Sequence, residues 1–147
     1  MIILLLLILS ADLFSVSDYS DKDLIENIIN LVDSSLNRLE KYGKLGNEEI
    51  EGHKSGIMKY DTRLTGFNKV LNLIEYINFQ DDIFIISGTI VNQTDWSGSG
   101  MSKADFLVSG PENFSLKFEM KLTKKVRTQG HYFITRKGQN QMIYPFN

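Results

Sequence analysis

From Gly56 to Val91 the apolar and polar positions alternate as in extended strands. Met58, Tyr60, Thr62 and Leu64 are interleaved with charged or polar neighbours, and Phe84, Ile86, Gly88 and Ile90 with Ile83, Ile85, Ser87, Thr89 and Val91, the period of two of a pleated strand. The run from Val70 to Phe79 is ambiguous, since Val70, Leu71, Leu73, Ile74 and Ile77 also fit one helical face. Its β-branched and aromatic content and the Gln80-Asp81-Asp82 turn after it favour a strand. Three consecutive strands are expected, the last two forming a long hairpin that needs a cover for its apolar face.

The same period returns later. Ala104–Val108 predicts a short strand closed by Ser109-Gly110-Pro111-Glu112, and Phe114, Leu116, Phe118, Met120 and Leu122 then alternate with Ser115, Lys117, Glu119, Lys121 and Thr123, one wet face and one buried. His131, Phe133 and Thr135 oppose Tyr132, Ile134 and Arg136 in a further strand, which Lys137-Gly138-Gln139-Asn140 turns, and another apolar run, Met142–Phe146, follows. Asp95 to Lys103 is rich in glycine and serine but lacks the Walker spacing, and is expected to be a flexible connection. Trp96 within it either plugs one end of the core or projects as a contact residue.

One segment has a different period. Ser20-Asp21-Lys22-Asp23 has the form of a capping box, and Ile25, Ile28, Ile29, Val32, Leu36 and Leu39 recur at three- and four-residue spacing up to Gly43. An amphipathic helix of about twenty residues and about 30 Å is expected, with its apolar stripe on the sheet. Lys44 to Ser55 is expected to be a polar loop. The predicted fold class is therefore α+β, a long amphipathic N-terminal helix packed along an antiparallel sheet.

Met1–Leu9 is an uncharged apolar run, short of the roughly 20 residues that span a bilayer. It reads as a secretory signal peptide cleaved after Ser17, which makes residues 18–147 a single domain in an extracellular protein. The whole chain has 16 Lys and Arg against 18 Asp and Glu, and loss of residues 1–17 removes only Asp12 from that balance. Near-neutrality argues against a nucleic-acid partner. The chain has no cysteine, which excludes disulfide scaffolds, zinc fingers and thiol enzymes. Asn92-Gln93-Thr94 and Asn113-Phe114-Ser115 are sequons, each beside an expected turn where a glycan is accommodated.

Little points to catalysis. His53 and His131 are isolated, no Ser-His-Asp or metal-ligand spacing is visible, and Asp81-Asp82 and Glu48-Glu49 fall in expected turns, so no catalytic residue, metal or cofactor is expected. Lys121, Lys124, Lys125 and Arg127 form a basic cluster that Arg136 and Lys137 join if Gln129-Gly130 is a turn. Such a cluster reads as a solvated strand edge, or as a contact for anionic headgroups.

The order of elements resembles the N-terminal part of the mite group 7 allergens, relatives of the juvenile-hormone-binding and takeout proteins and, more remotely, of the bactericidal/permeability-increasing lipid-binding proteins. The residues that carry the resemblance are the helix Leu24–Tyr42 with Val32-Asp33-Ser34-Ser35-Leu36 at its centre, His53-Lys54-Ser55-Gly56-Ile57, Leu64-Thr65-Gly66-Phe67, and the hairpin Val70–Val91. The resemblance implies a highly curved sheet wrapped along a long helix around a lipid groove. That family's domain continues to a second long helix, so it also implies a truncated half of a lipid-binding super-roll, or a homodimer that completes its core. A secreted, non-enzymatic binder of a small hydrophobic or lipid-like molecule is the expected function, with Phe84, Ile86, Ile90, Phe114, Phe118 and Met120 as groove residues; the same residues also suit ordinary core packing. An extracellular protein-interaction module with a filled core, contacting partners through the Trp96 loop or the basic cluster, is the alternative.

Overall fold

A computed structural model describes residues 19–146, so the expected signal peptide and its expected cleavage after Ser17 lie outside the described residues. One helix, α1 (Asp21–Asn37), is followed by eight strands: β1 (Gly46–Glu51), β2 (Ser55–Gly66), β3 (Lys69–Gln80), β4 (Ile85–Asp95), β5 (Gly100–Ser109), β6 (Phe114–Thr123), β7 (Val126–Arg136) and β8 (Met142–Phe146). Each strand pairs antiparallel with the next in a single sheet of order β1 to β8. This corrects the expected fold. Strands make up 60% and helix only 13% of the structure, so an eight-stranded meander with one short helix replaces the long helix on a curved sheet and the half super-roll.

The helix starts where the sequence places it. The Ser20 side chain accepts from the Asp23 N–H at 3.2 Å, and the Asp23 carboxylate accepts from the Ser20 N–H at 3.0 Å, the reciprocal cap of a short polar pair. It ends at Asn37, well before Gly43, because the Glu48 carboxylate accepts the N–H groups of Glu40 and Lys41 at 3.1 and 2.8 Å, donors that a longer helix would direct to its own carbonyls. Leu24, Ile25, Ile28, Leu31, Val32 and Leu36 are buried on one stripe.

One strand was not expected at all, and another is longer than expected. The expected loop 44–55 contains β1, whose Asn47–Glu51 pair with Ile57–Asp61; it is an edge strand with exposed glutamates, so no alternation of apolar residues marks it. The expected connection 95–103 ends at Ser99, and Gly100–Lys103 already pair with β4. Gln129-Gly130 is not a turn but lies within β7, opposite Lys121 and Met120.

The face of the sheet that meets α1 holds the core. Rings meet edge to face across the sheet, Tyr76 of β3 with Phe106 of β5 over Gly88 of β4 at 5.7 Å, then on successive strands Phe106 with Phe118 at 6.4 Å, Phe118 with Tyr132 at 6.2 Å and Tyr132 with Phe146 at 5.9 Å, a preferred geometry for aromatic pairs. Polar clamps hold α1 across the strands. At its start Asp21 takes Arg136 Nη2 at 2.6 Å and Tyr144 OH at 2.7 Å; in its last turns Ser35 Oγ meets Tyr76 OH at 2.9 Å, and just beyond, Arg38 grips Asp81 with contacts of 3.0 and 2.8 Å. The helix thus runs from the β7–β8 side to the β3–β4 turn.

Candidate functional site

The helix-facing rows of the sheet change character toward the β2–β3, β4–β5 and β6–β7 hairpins. One row is apolar, with Tyr60, Ile74, Ile90, Ala104, Phe118 and Tyr132 in register. The next toward those hairpins is Thr62, Asn72, Asn92, Ser102 and Met120. Thr62, Asn92, Ser102 and, one step further along β4, Thr94 are all buried. Polar groups in such places need partners, since an unmade bond costs about 1–3 kcal/mol. Thr62 Oγ1 donates to Asn72 Oδ1 at 2.8 Å, but Asn92 Oδ1 is enclosed with no hydrogen-bond partner.

Over this band lies a cavity of about 560 Å³. Ile29, Asp33 and Leu36 of α1 form one wall and Asn92, Thr94 and Ser102 of the sheet another, with Ile90, Tyr132 and Phe146 adding apolar surface. The rim is made by Tyr42 and Gly43 after the helix and by Lys125, Val126 and Arg127 of the β6–β7 hairpin. The early stop of α1 creates the rim. Released from the helix, the chain lets the Gly43 N–H donate to Tyr60 OH at 2.8 Å and sets the Tyr42 ring 5.9 Å from that of Tyr60.

The charges at the site are largely internal. Arg127 Nη2 lies 3.0 Å from Asp33 Oδ1, and its guanidinium sits 5.4 Å from the centre of the Phe118 ring, so its charge is met by a carboxylate and an aromatic face. Burial pushes the Tyr42 and Tyr132 hydroxyls above the usual tyrosine value, opposed by Arg127. Both are neutral at physiological pH. The site therefore offers amide and hydroxyl groups beside apolar walls, which suits hydrogen bonding to a neutral group. His53 and His131 are exposed, and no group of three or more His, Asp or Glu able to hold a metal occurs among the described residues.

The expected groove residues divide. Ile90 borders the cavity. Phe84, Ile86, Phe114, Phe118 and Met120 lie buried in the hydrophobic cluster, Phe84 against Phe114 at 6.2 Å. Asn92 does not stand beside a turn as expected; it is buried on the inner face of β4 with Thr94, where a glycan has no room in the folded chain. Asn113 is exposed in the β5–β6 turn. The basic cluster also disperses: Arg127 turns to Asp33, Lys125 reaches the rim, and Arg136, at the far end of β7, holds Asp21 and Glu112 at 2.6 and 2.9 Å.

Asn72, Asn92, Thr94 and Ser102 were missed as site residues, although part of the signal was present. The alternation through Ile86 and Ile90 already places Asn92 and Thr94 on the inward face, and polar residues at core positions mark function or error. No family model, curated protein or solved structure matches this chain. The resemblance to mite group 7 allergens rests on the residues quoted for it.

Proposed function

We propose that the protein is a secreted, non-enzymatic carrier of a small lipid-like amphiphile, bound in the cavity with a neutral hydrogen-bond donor against Asn92. The observation that carries this reading is that Asn92, whose buried Oδ1 has no hydrogen-bond partner, lines a cavity of about 560 Å³. That volume falls within the range of about 300–1,000 Å³ common to small-molecule pockets. A ligand hydroxyl or N–H there regains the bond that folding leaves unmade. Ile29, Leu36, Ile90 and Phe146 give the apolar remainder of the ligand a surface to leave water against, at roughly 25 cal/mol per Å². Secretion rests on the Met1–Leu9 stretch and agrees with an exposed Asn113 sequon.

The test is fluorescence titration of lipid-stripped protein with the neutral probe N-phenyl-1-naphthylamine. Saturable one-to-one binding is expected, weakened about tenfold or more by Ser102→Phe, which fills the cavity, and unchanged by Asn113→Gln in the distant turn. Absence of saturable binding, or equal binding by the filled variant, would overturn the reading in favour of a protein-interaction module with no small-molecule ligand.

A further inference from the structure

We propose that the end of the molecule at which the cavity opens is a docking surface for anionic phospholipid bilayers; this rests on the carrier reading, since it makes that end the place of ligand exchange. Four segments meet there: residues 40–45 of the α1–β1 loop and the hairpins β2–β3, β4–β5 and β6–β7. They are tied together. The Trp96 N–H donates to Asn68 Oδ1 at 3.3 Å and the Lys125 N–H to Gly98 O at 2.8 Å, while Leu45, Leu64, Trp96 and Lys125 border one hollow of about 250 Å³.

These tips expose what a core should hold. Phe67 is fully exposed, Trp96 is 68% exposed, and Leu45, Leu64 and Val126 are 57%, 48% and 62% exposed. Apolar tips on several loops at one end form a patch that water does not favour. The charge of the same segments is mostly positive: Lys41, Lys44, Lys69, Lys124 and Lys125 against Glu40 and Asp95, and Asp95 is occupied by Ser97 Oγ and the Ser99 N–H at 2.5 and 3.0 Å. At the opposite end, the turns 52–54, 81–84, 110–113 and 137–141 are balanced, with Asp81, Asp82 and Glu112 against Lys54 and Lys137. Aromatic and aliphatic tips ringed by lysine match an interface of acyl chains beneath anionic headgroups. A protein partner would satisfy the apolar part, but five lysines facing two acids favour an anionic plane.

Trp96 is the only tryptophan, so its emission reports on this rim alone. The experiment is titration with vesicles of phosphatidylcholine with or without 30% phosphatidylserine, reading Trp96 fluorescence and co-flotation. A blue shift and flotation are expected with phosphatidylserine and not with phosphatidylcholine alone, and both are lost in high salt. Phe67→Ser should lower vesicle affinity about tenfold and Lys44→Glu at least about fivefold. Both variants should bind N-phenyl-1-naphthylamine in solution as the unaltered protein does, which separates failure of docking from failure of the carrier reading. No flotation, or flotation that survives Phe67→Ser with no Trp96 shift, would overturn the proposal.

Discussion

Asn92 Oδ1 is enclosed without a partner while its neighbours in register, Asn72 and Ser102, line the same band. The free energy left unspent there defines what substitutions should do. Asn92→Leu removes the unmade bond and adds apolar surface, so it should stabilise the ligand-free protein by about 1 kcal/mol, seen as a rise of about 3–5 °C in Tm. It should also weaken N-phenyl-1-naphthylamine binding, because the leucine intrudes on the cavity. Loss of stability with unchanged binding would contradict this role. Tyr76 sets a second residue-scale expectation. Burial pushes its hydroxyl far above the usual value, with the Ser35 hydrogen bond opposing. The folded state therefore holds its proton where an unfolded tyrosine, near pH 10, releases it; stability is fully present below about pH 10 and falls as pH rises above it. Alkaline denaturation followed by tyrosinate absorbance should show Tyr76 ionising only as the protein unfolds, and Tyr76→Phe should remove part of that pH dependence.

At the scale of elements, the clamps and the hairpin contacts govern how firmly the site is framed. Arg136 joins Asp21 on α1 to Glu112 in the β5–β6 turn, with the three side chains only 15–20% exposed. Arg136→Ala removes the cation shared by two largely enclosed carboxylates, with Asp21 keeping the Tyr144 hydroxyl, and should cost about 1–3 kcal/mol, measurable by urea denaturation; a change below about 0.5 kcal/mol would mean the network is only a surface feature. Gly98 fixes the rim. Its φ of +79° and the closeness of Lys125 N, 2.8 Å from where a Cβ would stand, reserve the position for glycine, so Gly98→Ala should destabilise by about 1–3 kcal/mol. Much of this layer was legible. The Ser20-to-Asp23 spacing predicts the cap that forms, and the alternation along Phe114–Leu122 predicts β6. The end of α1 was not legible, because it is set by Glu48, a residue remote from the helix whose carboxylate captures two backbone donors. Nor was β1, whose strand character comes from the β2 edge it pairs with and not from its own glutamates.

The whole molecule is polarised between a filled, aromatic half and an open end with lysine-rich, apolar tips. The sequence pattern gives the inward parity of each strand but not how far along it the core stays filled, since that depends on where α1 lies across the meander. Hence Phe84, Ile86, Phe114, Phe118 and Met120 were plausible groove residues by pattern, yet they lie in the hydrophobic cluster, and the space opens beside Asn92 and Ser102, in whose row only Met120 stands. No described helix is long and apolar enough to cross a membrane, and the proposed bilayer contact is an interfacial one through loop tips. A carrier of this kind must hold an amphiphile in its cavity when it is isolated. Native mass spectrometry of protein secreted from a eukaryotic host, without denaturation or lipid stripping, tests it most directly. A single adduct of lipid mass per chain, lost on denaturation and reduced in Ser102→Phe, is the predicted result. A folded chain with no adduct, and none gained on mixing with long-chain alcohols, would contradict it.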